Sequence, residues 1–265
     1  MKIVIHPEFA DAASFIKQLP QFFEQEGELL YDSRNKVKRY RVNGKDMVVK
    51  RYKRPNMIQR IVYTFFKKSK TERAYLFAGM LRERGFDTPH EVAYIEQRKN
   101  GLFLDGYFVS LNCSYPPLSE LLRKRDFDRH PADELAAYMV ELHKKGVLHG
   151  DLNLTNILYH TDKKGQYEFT LIDTNRSKFK PAPDRQECLE NLKRLTHSKA
   201  LLRYIVIQYA TLREWNPREC TLEVFRYLLL FEQKRKKKRK LQSWILLRSL
   251  IPDSFHNRLW PAAHQ

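Results

Sequence analysis

Apolar and polar residues change their period several times along this chain, and the changes divide it. From Gly27 onward the apolar runs are short and broken by turn residues: residues 29–31, a turn at 32–35, residues 37–42, an Asn43-Gly44 turn, and residues 47–52. Strand-like runs joined by Asn-Gly predict an antiparallel meander. Residues 92–96 and 102–110, on either side of Asn100-Gly101, add a hairpin and bring the expected sheet to five strands. One helix interrupts the series: it opens at Ser69-Lys70-Thr71-Glu72, runs through Tyr75, Leu76, Met80 and Leu81, and stops at Gly85. Residues 1–26 mix aromatic and acidic residues around Pro7 and Pro20, with a short helix over 11–19, and carry no functional signal.

Past residue 111 the pattern turns helical. Leu135, Met139 and Leu142 mark the inner face of a helix over residues 131–145 that ends at Gly146. Residues 185–210 and 217–233 read as further helices, the last with Leu222, Phe225 and Leu229 as its core stripe. Two short strands, residues 157–159 and 169–173, enclose a polar turn between these helices. The prediction is an α+β protein of two lobes, a sheet-rich lobe over 1–111 and a mostly helical one over 112–233. A basic amphipathic segment over 234–265 follows.

Composition narrows the class. With 42% apolar residues in 265, the chain can bury a large core or two. It shows no signal-peptide h-region and no run of about 18 uncharged apolar residues. Cys113, Cys188 and Cys220 are far apart and have no metal-ligand spacing. A cytoplasmic protein with reduced thiols is the expectation.

Charge matters more by its distribution than by its total. The formal net charge is +18, and residues 50–70 and 234–265 each carry +8 of it. The partner surface should therefore be anionic and met by two discrete patches. Within the first, Met57/Ile58, Ile61/Val62 and Phe65/Phe66 recur at helical spacing among cations. That is the makeup of a helix lying in a membrane interface, and equally of an amphipathic helix packed on the small lobe. In the second, seven consecutive cations at 234–240 precede Trp244-Ile245-Leu246-Leu247 and Leu250-Ile251. This suits anionic lipid at about 1 kcal/mol per cation near the surface. A solvated basic helix end or a nucleic-acid patch is the plainer reading of such a run.

Chemistry concentrates between His149 and Arg176. His149-Gly150-Asp151-Leu152-Asn153-Leu154-Thr155-Asn156 is followed by an apolar strand and then by Leu171-Ile172-Asp173 at a second strand's end. Phosphoryl transfer from a nucleoside triphosphate needs a carboxylate on the attacking hydroxyl and oxygen ligands for magnesium. Asp151 suits the first task; Asn156 and Asp173 suit the second. Asp, Asn and Gly also make ordinary turns, but a helix before the loop and a hairpin ending in Asp after it favour the catalytic reading. Lys50 ends an apolar strand and can reach nucleotide phosphates, with a solvated edge lysine as the alternative. No Gly-rich loop precedes it, which leaves Ser33 in the first hairpin turn to cradle phosphate. Glu72 either pairs with Lys50 or completes a capping box with Ser69. Backbone at Ser110, in a hinge over 110–115, can hold an adenine ring. His149 is expected to fix the loop by bonding backbone near Asp173. Arg176 contacts phosphate or an anionic sugar, or is a surface cation. No Ala-Pro-Glu follows Asp173, so no peptide-docking activation segment is expected.

Val48-Val49-Lys50-Arg51-Tyr52, Ser69-Lys70-Thr71-Glu72, the run from Leu142 to Leu152, Asn156-Ile157-Leu158 and Leu171-Ile172-Asp173 together resemble the lipopolysaccharide core kinases. The resemblance spans residues 47–178 and implies a protein-kinase-like fold. It also implies transfer from ATP, with Mg2+, to Kdo or heptose of a lipid A-core glycolipid at the cytoplasmic face of the inner membrane. By it, Lys50 binds phosphates, Glu72 orients Lys50, Asp151 is the base, and Asn156 and Asp173 bind metal. Thr174-Asn175 departs from the family, which often has an aromatic or aliphatic residue and an acid there. Lipid contact through 50–70 and 234–251 fits such a substrate, and no nucleic-acid partner is expected. Two other functions stand beside it: a soluble small-molecule kinase of the aminoglycoside or choline type, and a non-catalytic kinase-fold protein binding nucleic acid or lipid.

Overall fold

A computed structural model describes residues 1–123 and 126–250, with backbone alone for 244–250. The elements in chain order are β1 (Lys2–Ile5), α1 (Ala13–Phe22), β2 (Glu28–Asp32), β3 (Lys36–Val42), β4 (Lys45–Arg51), α2 (Met57–Phe65), α3 (Lys70–Glu83), β5 (Glu91–Lys99) and β6 (Leu102–Leu111), followed by α4 (Leu118–Leu121), α5 (Arg129–Lys144), β7 (Val147–Leu148), β8 (Ile157–Thr161), β9 (Tyr167–Leu171), β10 (Lys178–Phe179), α6 (Arg185–Leu192), α7 (Lys199–Leu212) and α8 (Pro217–Leu250). The first six strands form one antiparallel sheet in the order β1-β5-β6-β4-β3-β2. The five expected strands are all present. β1 makes a sixth, pairing Lys2 with Glu96 and Ile5 with Ala93; four residues followed by Pro7 are too few to show a period.

Two apolar clusters make up the core. The smaller packs Ile16, Leu19 and Phe23 of the α1 region on Met47, Val49, Ile95 and Val109 of the sheet. The larger joins α5, α6, α7 and the start of α8, and Leu135, Met139 and Leu142 are fully buried in it. Expectation and structure part company at α8. Leu222 and Leu229 are 65% and 54% exposed, while Cys220, Val224 and Tyr227 face inward. The segment carries two apolar stripes at helical spacing, and contact with α6 and α7 selects the one that sequence periodicity did not. The helical stretch expected over 185–210 is broken after Leu192, and Ser198 caps α7 by accepting a hydrogen bond from the Leu201 N–H.

α2 packs by its polar side. Arg60 donates to the Phe103 carbonyl at 2.7 Å and Thr64 Oγ1 accepts from the Phe103 N–H at 2.9 Å. Val62 and Tyr63 are half-buried, the Tyr63 ring 5.8 Å from that of Phe103, whereas Ile58, Phe65 and Phe66 are each at least 68% exposed. The helix is packed on the small lobe and also presents apolar side chains outward, so both readings of the segment stand. Among the described residues no helix is long and apolar enough to cross a membrane. The cationic run at 234–240 continues α8 as helix; the apolar positions from Trp244 onward lie outside the described side chains.

Candidate functional site

A cleft of about 730 Å³ lies between the sheet and the helical lobe. Val37, Val48, Phe108, Leu158 and Ile172 make its apolar walls, and Lys50, Asn156 and Asp173 stand at one end. An apolar slot that ends in cations and oxygen donors suits a flat base with an anionic tail.

Local folding brings the polar end together. β4 carries Lys50 opposite Phe108 of β6. β8 and β9 pair in register, Ile157 with Leu171, so Asn156 at the start of one strand meets Asp173 just past the end of the other. The Ile172 N–H donates to the Asn156 carbonyl at 3.0 Å and locks the two ends. Asp173 has φ 58°, a left-handed conformation that Asp tolerates better than most residues, and this turns its carboxylate to Lys50. Lys50 Nζ donates to Asp173 Oδ1 at 2.7 Å, as does Asn175 Nδ2 at 2.6 Å. Burial works to raise the Asp173 carboxyl, but Lys50, with Arg176, holds it below the ordinary aspartate value. It is an anion at neutral pH.

The catalytic loop is stapled from inside. Asn153 and Asn156 both donate side-chain amide hydrogens to the Asp151 carbonyl, at 3.0 and 2.9 Å. Among the described residues no hydrogen bond reaches the side-chain oxygen of Asn156, which lines the cleft with Asp173. One carboxylate and one amide oxygen facing a phosphate-sized space is a hard-donor set that fits Mg2+ completed by nucleotide oxygens. His149 is buried and donates from Nε2 to the Ile172 carbonyl at 3.0 Å. Burial keeps its pKa below the usual histidine value, so it is a neutral brace, as expected.

Three sequence expectations are corrected. Glu72 does not reach Lys50: its carboxylate lies 3.4 Å from Lys2 Nζ, and its N–H is capped by Ser69 at 3.1 Å. Thr71, Ala74 and Ala78 form the inward face of α3, and Glu72 sits off that face; Ser69 caps the helix, but the Glu72 carboxylate goes to Lys2, so only half of the capping box forms. Ser33 is absent from the cleft wall, where Arg34 and Asn35 of the same turn stand. Ser110 lines the cleft, but it is paired with both Val48 and Glu91 inside the sheet. The segment beyond it, Asn112-Cys113, is the nearer candidate for contact with a base.

Sequence reasoning missed three cations. Lys70 is partly buried, and burial together with the nearby Arg34, Arg176 and Arg73 pushes its pKa down despite Asp173. Of these, Arg34 lines the cleft, where no Gly-rich loop is present to offer backbone N–H groups. The third, Arg194, reaches Asp151 Oδ1 at 2.5 Å, while Arg176 reaches Oδ2 at 3.1 Å. Arginines on separate elements have no spacing signature, so only their convergence reveals them.

Among solved structures, WaaP in complex with acyl carrier protein is similar to this chain with a TM-score of 0.59 and 18% identity, covering 89% of this chain and 99% of that one. The Rio2 kinase-ADP/Mg2+-phosphoaspartate complex from Chaetomium thermophilum is similar with a TM-score of 0.45 and 14% identity, covering 93% and 77%. No curated protein matches. The fold is thus the one seen in WaaP. The model of the lipopolysaccharide kinase (Kdo/WaaP) family matches residues 21–220, most of the chain, and the protein belongs to that family.

Proposed function

We propose that this chain transfers the γ-phosphate of ATP to a hydroxyl of Kdo or heptose in a lipopolysaccharide inner core, at the cytoplasmic face of the inner membrane. The observation that carries the reading is the convergence of Lys50, Asn156 and Asp173 at one end of an apolar cleft, with Asp151 on the same loop and its carbonyl held by Asn156, in a chain of this family. Residues 1–111 then act as the nucleotide lobe and 112–233 as the acceptor lobe. Lys50, with Arg34, offsets phosphate charge. Asn156 and Asp173 hold Mg2+, which when bound neutralises charge on the phosphates. Asp151 aligns the sugar hydroxyl and takes its proton as the new O–P bond forms and the bond to the bridging oxygen of ADP breaks.

The outward apolar face of α2, flanked by Lys53, Arg54, Lys67 and Lys68, and the cationic run on α8 support contact with an anionic lipid surface. The relative that was solved with acyl carrier protein makes an acidic protein a second candidate for the same cations. A soluble small-molecule kinase would have no use for α2's exposed face.

The test is transfer of labelled γ-phosphate from Mg-ATP to Kdo-bearing lipid A in liposomes. Label should appear on the sugar with the native chain, and should fall by about 10³-fold or more with Asp173→Ala or Asp151→Asn at unchanged melting temperature. Full activity in either variant, or transfer to a small aminoglycoside but none to lipid, would sink the reading.

A further inference from the structure

A second cavity, of about 270 Å³, opens on the far side of the catalytic loop and is lined by Asp151, Arg176, Lys178, Lys193 and Arg194 among others. Its charges do not balance. Lys193 is paired with Glu190, and Glu187 with Lys180, each at 2.6 Å. Arg176 and Arg194 share the single carboxylate of Asp151, and Lys178 has no ion-pair partner among the described residues. With Lys180 outside the lining, the cavity's four cations face the three carboxylates of Asp151, Glu187 and Glu190, which leaves an excess of one positive charge.

Both oxygens of Asp151 are thus held by guanidinium groups, and an anion entering the cavity would compete with that carboxylate for them. Arg176 follows Asp173 closely in the chain and reaches Asp151 Oδ2 from that side. Arg194 comes from the opposite side, on the turn between α6 and α7. The Leu154 N–H donates to the neighbouring Leu195 carbonyl at 2.9 Å, tying that turn to the catalytic loop. Its guanidinium also rests 4.8 Å from the ring of Phe231 on α8, a contact that orients the planar fork for bidentate capture of an anion. Phe231 lies just before the cationic run at 234–240.

We propose that this cavity is an anion subsite for the acceptor, in which Arg194, assisted by Lys178, binds a carboxylate or phosphate carried by the acceptor and so releases Asp151 Oδ1 to the hydroxyl. The inference rests on the lipopolysaccharide-kinase reading and deepens it. A neutral heptose lacks the required group, whereas Kdo carries a carboxylate on the sugar itself and lipid A carries phosphates.

The experiment compares kcat/KM of the native chain, Arg194→Ala and Arg194→Lys on three acceptors in detergent: Kdo-bearing lipid A, its Kdo methyl ester, and its dephosphorylated form. Loss of one charge-assisted contact should make the native chain favour the acidic acceptor by about 10–100-fold, chiefly through KM. Arg194→Ala should bring that ratio to about one, and Arg194→Lys should fall between. The modified acceptor that loses the preference identifies the anion as carboxylate or phosphate. A native chain indifferent to all three acceptors, or an unchanged ratio in Arg194→Ala, would overturn the subsite and leave the kinase reading standing. Binding of free Kdo, followed by NMR titration of native chain and Arg194→Ala, separates the two ideas. Arginine-dependent binding without transfer supports the subsite and defeats the kinase reading.

Discussion

A Cβ on Gly150 would stand 2.2 Å from the Arg176 carbonyl oxygen, and the φ of 74° there is one that side chains resist. Where protein kinases commonly place Arg beside the catalytic Asp, this chain needs Gly, because the segment after Asp173 folds back onto the loop. The same close approach brings the Arg176 side chain to Asp151. Histidines support the loop from below. His143 accepts from the Tyr209 hydroxyl at 2.8 Å on Nδ1 and donates to Asn191 Oδ1 at 3.3 Å from Nε2. Asn191 in turn accepts from the His149 N–H at 3.3 Å. Burial lowers the pKa of His143 from 6.5 to about 4. The unfolded chain therefore binds a proton below pH 6.5 that the folded chain refuses until about 4, so stability is full above 6.5 and falls across that window. The loss should reach about 3 kcal/mol, with neutral, buried His149 adding in the same direction. Urea midpoints between pH 7.5 and 4.5 should drop steeply for the native chain and less steeply for His143→Gln; parallel curves would contradict the assignment.

At the scale of elements, helix phase decides which residues act. α3 turns Thr71, Ala74, Ala78 and Leu81 inward and leaves Glu72 toward Lys2 of the added strand β1. The Ser-x-x-Glu signature was legible as a cap and as a catalytic pair, and spacing alone does not separate them. The pairing of Lys50 with Asp173 in its place predicts that Glu72→Ala changes kcat/KM for Mg-ATP by less than about 3-fold. Removal of a working Lys–Glu pair would cost about 10²-fold or more, and a loss of that size would restore the sequence reading. α8 repeats the lesson: Leu222 and Leu229 have the period of a core stripe, yet their exposure shows that α6 and α7 engage the neighbouring stripe.

For the whole molecule, the segments 50–70 and 234–265 carry +8 each of the net +18, and in the first of them cations flank the exposed apolar residues of α2. Partition into vesicles containing anionic lipid should follow, weakening as salt rises. Phe65→Ser with Phe66→Ser removes two exposed rings and leaves the core untouched, so vesicle binding should fall by about 10-fold or more with no change in melting temperature. Equal partition of variant and native chain in a sedimentation assay would remove α2 from the lipid-binding surface.

Lys50, Asp151, Asn156 and Asp173 were legible from sequence because each stands at a strand end or in a short loop, where local spacing dictates position. The alternation of the sheet, the face of α5 and the two basic patches were legible for the same reason: period and charge are properties of neighbours along the chain. The tertiary structure alone decided that Glu72 turns to Lys2, that Ser33 stays out of the cleft, that Arg34 enters it, and that Arg194 meets Asp151. Those outcomes depend on how helices rotate as they pack and on which distant side chains meet, and the free energy of such contacts is set between elements rather than within them.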